Sequence, residues 1–366
     1  MSKKKILVIS NLYWNFYNFR YELICNLNSS HDITLLAKND IYSSKFSRKG
    51  IKCIFWNINT NSTNPVYEFL TILNLFKIIF KLKPDSVLSF TPKANFYASL
   101  LSWIFNFHFY PNITGFGSYY INNGFIKKLF NFTYKFLFKK TKIIFVQNKY
   151  DKIIFNKQYR INNNKLSLLP GSGINTDQFK PKFIFNEKCK TFLVVARLIK
   201  EKGIYEYFEA VKMVKKKDPS LDFFLIGDFD EKNKNSISKK LYLELKNSRL
   251  IKYLGYQKDI IKYLHLFDCL ILPSYREGTS RFLLEGISIG KPLIVSNVPG
   301  CRELCNQNNG YRFDINSIYS FYKCIIKMSQ KNKDELMVMA KASRKLASDK
   351  YDINKVIEKY HYYLSC

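Results

Sequence analysis

The sequence predicts an α/β protein built from two doubly wound parallel sheets, and three observations lead there. The chain has 366 residues, more than one hydrophobic core usually fills, so two domains are expected. Short apolar runs alternate with amphipathic stretches nearly throughout, the pattern of parallel strands covered by helices on both faces. That alternation breaks once, around Leu169-Pro-Gly-Ser-Gly173 and Phe179-Lys-Pro181, and then restarts.

The elements follow in order. Lys5–Ser10 is a β-rich run and Tyr17–Asn28 has helical spacing. Ile33–Ala37, Ile51–Trp56 and Asp85–Phe90 are short apolar strands, with a helix expected over Val66–Lys83. A further helix is expected over Phe125–Lys140, followed by a strand at Lys142–Gln147. After the break come strand Thr191–Ala196, helix Ile204–Lys217, strand Leu221–Gly227 and a helix near Ser236–Lys246. Strands Cys269–Leu272 and Leu293–Ser296 flank helix Arg281–Ile289, and roughly the last thirty residues are helical. No repeat of solenoid length is present. Paired Rossmann-like halves of this kind take ligands in the cleft between their carboxyl strand ends.

Composition removes several classes. Hydrophobic residues are 47% and charged residues 24%, which argues against a disordered chain. No apolar run reaches the ~18 residues of a spanning helix. The nearest, Phe96–Tyr110, contains Asn106 and His108 and is closed by Pro111. The opening MSKKKILVIS lacks the apolar core and cleavage site of a signal peptide. Eight cysteines are scattered, the closest pair being Cys301 and Cys305. Without paired zinc spacing they read as reduced thiols of a cytosolic protein.

The formal net charge is +31, which should hold something anionic: nucleic acid, a phosphorylated substrate or an acidic membrane face. Acids are scarcest in the first half, where residues 1–175 carry 24 Lys and Arg against 6 Asp and Glu. Aromatic and basic residues interleave there, at Phe76–Lys83 and Phe125–Lys140. On helices this gives apolar faces with cationic edges, suited to anionic lipid headgroups or to a core face with a solvated rim. A nucleic-acid role would need a binding module, and none is recognisable among these dispersed cations.

Two segments carry the chemistry. In Leu272-Pro-Ser-Tyr-Arg-Glu277-Gly-Thr-Ser-Arg-Phe-Leu-Leu-Glu285, a strand ends, a turn follows and a helix begins. Gly278, Thr279 and Ser280 are expected to present N–H groups at the helix N-terminus, where a phosphate binds well. Glu277 stands at the mouth of the loop. Glu285, eight residues on, can face the same cleft, and two such carboxylates suit a hydroxyl-rich ligand. The second segment, Val195-Ala-Arg197-Leu-Ile-Lys-Glu-Lys202-Gly203, places two cations after a strand end, apt for a diphosphate. Taken alone, these segments also read as a capped helix with solvated acids and as two surface cations.

Weaker signals are Gly115-Phe-Gly117-Ser and Thr91-Pro-Lys93. The loop Asn11–Phe19 has no glycine, which argues against a nicotinamide-type fingerprint. No Walker motif, G-x-S-x-G elbow or H-E-x-x-H is present. The four histidines are isolated and read as structural or exposed.

Glu277-x₇-Glu285, the upstream Arg197…Lys202-Gly203 and the two-sheet layout resemble retaining glycosyltransferases of family 4, which have the GT-B fold. One subgroup is closer still. Asn18-Phe-Arg20, Thr91-Pro-Lys93-Ala-Asn95, Thr114-Gly-Phe-Gly117-Ser-Tyr-Tyr, Pro170-Gly-Ser-Gly-Ile-Asn175, Pro273-Ser-Tyr-Arg-Glu277-Gly and Pro299-Gly-Cys-Arg-Glu303 all look like it. Its members add sugars such as N-acetylgalactosamine, N-acetylglucosamine or galactose from UDP-sugars to lipid-linked oligosaccharides or bacterial surface polysaccharides.

The resemblance implies an acceptor-binding domain over residues 1–170, joined by a returning C-terminal helix at 348–366. It implies a nucleotide-sugar domain over 171–347 facing the first across a cleft. Arg197 and Lys202 would hold the donor diphosphate, with backbone around Gly278, Thr279, Ser280 and Arg281 completing that site. Glu277 would bond the donor sugar's hydroxyls and Glu285 the ribose, with Tyr256 near the base and Leu284 also part of the nucleotide-sugar site. Gly117 would line the cleft, and Lys93, Arg20 and Asn15 would meet the acceptor. Many family members place a histidine in the acceptor-side loop. Here that loop reads Asn112-Ile-Thr-Gly-Phe-Gly117, and the role stays unassigned.

The function implied is retaining transfer of a hexose or N-acetylhexosamine from a UDP-sugar to a polyprenyl-diphosphate-linked glycan. It would proceed without a metal or other cofactor, on the inner face of the cell membrane and with no nucleic-acid partner. A transferase of the same fold with a soluble acceptor is the alternative.

Overall fold

The computed structural model describes residues 3–59, 64–115, 135 and 138–365. It divides into two units, Met1–Ser172 with Ile353–Cys366, and Gly173–Asp352. In the first unit strands β1 (Lys5–Leu12), β2 (Asp32–Lys38), β3 (Lys52–Phe55), β4 (Ser86–Ser89), β5 (His108–Ile113), β6 (Ile144–Val146) and β7 (Leu166–Leu168) form one parallel sheet. Its order is β3-β2-β1-β4-β5-β6-β7. Helices α1 (Tyr13–Ser30), α2 (Ser43–Ser47), α3 (Pro65–Leu82), α4 (Pro92–Leu101) and α5 (Lys149–Lys157) connect the strands.

The second unit repeats the plan. Strands β8 (Thr191–Val195), β9 (Asp222–Ile226), β10 (Ile251–Tyr253), β11 (Cys269–Leu272), β12 (Leu293–Ser296) and β13 (Gly310–Phe313) run parallel in the order β10-β9-β8-β11-β12-β13. Helices α6 (Ile204–Lys217), α7 (Lys239–Asn247), α8 (Ile260–Leu264), α9 (Arg281–Ser288), α10 (Ile318–Ser329) and α11 (Lys333–Leu346) complete it.

Continuous apolar strands make these sheets because successive side chains point to opposite faces and both faces are covered. Ile6 and Val8 join one cluster with Phe16 and Leu23 of α1. Leu7 and Ile9 join another with Leu75 and Ile79 of α3. In the second unit Phe192 and Val194 pack with Tyr207 and Val211 of α6, while Leu193 packs with Leu283 and Ile287 of α9.

Each sheet has one point where strand order reverses, between β1 and β4 and between β8 and β11. In open parallel sheets, ligands bind beyond the carboxyl ends of the strands at such a point.

The structure adds elements the sequence reading left out. Helix α4 and strand β5 occupy most of the Phe96–Tyr110 run. Strand β5 contains Pro111, which normally excludes a central strand because it donates no ladder hydrogen bond. Here β5 pairs with β4 through Pro111 and with β6 only from Asn112 onward, so the missing donor falls at the handover. Most of the helix expected over Phe125–Lys140 lies outside the described residues, and Phe138–Lys140 form a single 3₁₀ turn.

The chain returns to the first unit as α12 (Ile353–Ser365). Val356, Tyr360 and Leu364, spaced four apart, enter the α1-side core. Tyr110 Oη donates to the Tyr363 carbonyl at 2.9 Å, and Tyr360 Oη donates to Asn112 Oδ1. Residues 347–351 stay with the second unit, beyond the expected boundary at 347, because Ala347 and Tyr351 are buried in its core.

Candidate functional site

The loops after β8 and β11 interlock through their backbones. Gly203 has φ +65°, and a Cβ there would stand 1.9 Å from the Pro273 carbonyl oxygen. Only glycine fits both the left-handed conformation and the contact. Tyr275 N–H donates to the Glu201 carbonyl at 2.9 Å, a second tie between the loops. The loop after β12 braces them from the other side. Glu277 N–H donates to the Pro299 carbonyl at 3.2 Å and Ser280 N–H to the Gly300 carbonyl at 3.3 Å. Gly300 (φ +82°) lies so close that a Cβ would stand 2.4 Å from the Glu277 carbonyl oxygen.

These ties bring together two residues 75 apart in sequence. Lys202 Nζ forms an ion pair with Glu277 Oε1, with both side chains largely buried. Ser274 Oγ donates to the same oxygen at 2.8 Å, and Ser274 is itself fixed by Ser296 Oγ donating to its carbonyl. Beneath the pair lies buried Cys301, whose thiol is pushed well up by burial and then by the Glu277 charge. Arg197 stands on the same loop as Lys202, exposed and without an ion pair among the described residues.

Helix α9 begins at Arg281, as the sequence predicts. Helix α9 is capped by Ser280, whose Oγ accepts from Leu283 N–H at 3.4 Å. Since Ser280 N–H is bonded to the Gly300 carbonyl, the first N–H groups of the helix with no backbone partner among the described residues are those of Arg281 and Phe282. Glu285 lies one helical turn after Arg281, which bonds it through Nε at 3.0 Å. Arg281 also donates to the Gly173 carbonyl at 2.8 Å. Burial raises the Glu285 carboxyl while Arg281 pulls it down. Leu284, expected in the nucleotide-sugar site, has its side chain fully buried in the core with Leu272 and Leu293. Its neighbours on α9 carry the polar functions. Tyr256 is exposed beyond β10, and Gly227 N–H donates to the Gly255 carbonyl at 3.0 Å, holding that turn beside the end of β9.

In the first unit the expected acceptor residues part company. Asn15 lies half-buried in the first turn of α1, directly after β1. Lys93 Nζ is bonded to Glu68 Oε1 of α3 at 2.6 Å and to the Asn59 carbonyl at 2.8 Å. Its charge is therefore turned toward α3. Arg20 is buried, with its guanidinium 4.9 Å from the centre of the Phe90 ring. Neither cation is offered to a ligand in this arrangement. Gly117 lies outside the described residues. Among the described residues, no group of three or more His, Cys, Asp or Glu could hold a metal ion.

Residues 175–346 match the family model for glycosyl transferases group 1, and residues 5–148 match that for glycosyl transferase 4-like domains. A relative in Campylobacter jejuni, N,N'-diacetylbacillosaminyl-diphospho-undecaprenol alpha-1,3-N-acetylgalactosaminyltransferase, is 30% identical over 79% of each chain. The chain belongs to the group 1, family 4-like glycosyltransferases. An Escherichia coli relative, UDP-Gal:alpha-D-GlcNAc-diphosphoundecaprenol alpha-1,3-galactosyltransferase, is 24% identical to this glycosyltransferase, over 91% of this chain and 88% of its own. Two solved structures share the GT-B fold. The Rickettsia africae glycosyltransferase has a TM-score of 0.77 at 20% identity, covering 100% of this chain and 99% of its own. Anabaena HepE, solved with UDP and glucose, has a TM-score of 0.80 at 14% identity, covering 99% of each chain.

The site of this glycosyltransferase includes a support that the motifs did not contain, Ser296, which holds Ser274 and through it Glu277. Pro299-Gly-Cys-Arg-Glu303 stood out in the sequence, and its partner across the loop appears only in three dimensions.

Proposed function

We propose that this glycosyltransferase moves a hexose or N-acetylhexosamine from a UDP-sugar to a glycan carried on polyprenyl diphosphate, with retention and without a metal, at the inner face of the cell membrane. The observation that carries the reading is the Lys202–Glu277 pair at the β8/β11 reversal, with Arg197 on the same loop as Lys202 and helix α9 starting four residues after Glu277. Transfer separates charge between an oxocarbenium-like sugar and a departing diphosphate. Two cations and aligned N–H donors stabilise negative charge where it develops. Glu277, held between Lys202 and Ser274, is an acceptor for sugar hydroxyls. Glu285 has the same role toward the ribose, oriented by Arg281.

Both relatives are named for alpha-1,3 transfer onto sugars on diphosphoundecaprenol. A UDP-hexose carries its sugar in the α configuration, so an α product means retention. In the step proposed, the bond from C1 to the β-phosphate oxygen breaks and the bond from C1 to the acceptor oxygen forms on the same face. The acceptor proton passes to the departing phosphate.

The test is turnover by the full chain, in EDTA, with a panel of UDP-sugars and a polyprenyl-diphosphate-linked sugar. The expected result is UDP release and an α-linked product. A β-linked product would overturn retention, and transfer confined to soluble sugars would overturn the lipid-linked acceptor. Activity lost in EDTA and restored by Mn²⁺ or Mg²⁺ would overturn the metal-free reading.

A further inference from the structure

Helix α3 is apolar on the wrong side. Its inner face, Thr71, Leu75 and Ile79, is buried against the first unit. Yet Val66, Tyr67, Phe69, Leu70 and Phe80 are each more than half exposed, and Leu73 is also exposed. At 100° per residue these six side chains fall on one outward arc. Lys77 and Lys81 lie on the same arc, exposed and in no ion pair among the described residues. The helix's one acid, Glu68, is turned inward to Lys93.

The surface extends beyond the helix. The Phe76 ring stacks on Phe80 at 6.5 Å and tilts against Phe105 at 4.9 Å. That joins α3 to the turn at 103–105, where Trp103 and Ile104 are exposed. Lys140 Nζ stands 5.0 Å from the centre of the Trp103 ring. Soluble monomers seldom expose a continuous apolar surface of this kind without a partner for it.

We propose that the outward face of α3, with the turn at 103–105, docks the first unit onto an anionic lipid bilayer surface. The proposal names a partner for the enzyme under the lipid-linked acceptor reading, on which it rests. Charge selects the partner. The face holds exposed aromatics, aliphatics and lysines with no outward acid, which matches acyl chains beneath anionic headgroups. The helix is 18 residues long, about 27 Å, and no helix among the described residues is long and apolar enough to cross a membrane. Its inner face is committed to the protein, so it lies in the interface plane with Phe69, Leu70 and Phe80 dipping into the bilayer.

Flotation of the full chain tests this, using vesicles of phosphatidylcholine alone or with one-third phosphatidylglycerol. Wild type should float with the anionic vesicles and stay behind with the neutral ones. The triple variant Phe69→Ser, Leu70→Ser, Phe80→Ser should lose at least ~10-fold in affinity even at low salt. The double variant Lys77→Glu, Lys81→Glu should lose at least about five-fold per lysine. Both should keep wild-type turnover on a short-chain, water-soluble polyprenyl-diphosphate acceptor.

Wild-type flotation by both variants overturns the inference, as does equal flotation with neutral vesicles. Self-association abolished by the triple variant, without flotation, gives the face to a second copy and also overturns it. A wild-type chain that turns over the short-chain acceptor but never floats defeats the docking face and leaves the function standing. A chain that floats but transfers to no lipid-linked acceptor defeats the function alone.

Discussion

At β8/β11 the two loops meet through glycine, with Gly203 against Pro273, and the loop after β12 adds a second such contact, Gly300 against Glu277. At β1/β4 the corresponding loops are joined by a side-chain bond, Thr91 Oγ1 donating to Asn11 Oδ1 at 2.7 Å. The cations differ in the same way. Lys202 finds its acid on the adjoining loop, so the pair spans the reversal point. Lys93 finds its acid on α3 and is drawn away from it, and Arg20 is withdrawn beneath the surface onto Phe90. Among the described residues, the start of α1 at the first reversal point offers exposed Trp14 and half-buried Asn15, and its nearest charge is an acid, Asp40, which accepts from Trp14 N–H at 2.8 Å. One sheet plan therefore carries two chemistries. The second unit holds a lysine–glutamate pair across its reversal point, whereas among the described residues of the first unit Lys93 and Arg20 are drawn to Glu68 and Phe90.

The largest effect should come from breaking the interlock itself. Gly203→Ala puts a Cβ 1.9 Å from the Pro273 oxygen at φ +65°, so the loops must separate and both Lys202 and Glu277 lose their positions. Turnover should fall by more than the ~10²-fold expected for one electrostatic donor. The melting temperature should fall as well. A Gly203→Ala enzyme with wild-type turnover would mean that the interlock does not position the site.

Next comes a matched pair of lysines. Lys202→Ala should lower turnover by ~10²-fold or more, because it removes a cation from the developing diphosphate charge. Lys93→Ala removes a partly exposed pair with Glu68, whose worth is ~1 kcal/mol or less. Its kcat/KM for the acceptor should stay within about five-fold of wild type. Steady-state kinetics on both variants would settle the contrast. A loss at Lys93 equal to that at Lys202 would show that the Glu68 pair opens to admit a ligand.

Much of this was legible in the sequence, and the exceptions share a cause. Helix α6 and strands β11 and β12 coincide with the expected Ile204–Lys217, Cys269–Leu272 and Leu293–Ser296, because buried apolar runs with clear turn residues leave little choice. The placement of Lys202 and Glu277 after strand ends and of Glu285 on the helix that follows was legible, because a loop after a strand, followed by a helix start, is a local pattern. Strand β5 was not, since Pro111 and His108 mask it and only its neighbours explain why a proline is tolerated. The fates of Lys93 and Arg20 were not legible either. Their partners, Glu68 and Phe90, are chosen by tertiary packing rather than spacing. Leu284 shows the same limit: on an N-terminal helical turn, the face that looks inward depends on the sheet beneath.

The smallest effect separates the units by acid. His31 is buried at the end of α1, with neither ring nitrogen bonded among the described residues, and its ring lies 6.1 Å from that of His361 on α12. Burial first, then His361, Lys4 and Lys3, lower its pKa below the ordinary value. His108, also in the first unit, is lowered by burial and by Lys142 and Lys4. A depressed histidine means that the unfolded chain binds the proton first. The stability tied to it is complete above the unfolded value of about 6.5 and is lost as pH falls toward the folded one. The second unit holds one such group, His265. Lowering pH from about 7.5 to 5.5 should therefore cost the first unit more, with α12 loosening as His31 gains charge against His361. His31→Leu should recover roughly 2 °C of the acid-induced fall in melting temperature while changing little at pH 7.5. Hydrogen exchange at both pH values would locate the effect. Protection lost first around β8 and β11, rather than along α12, would show that acid acts on the charged site and not on the buried imidazole.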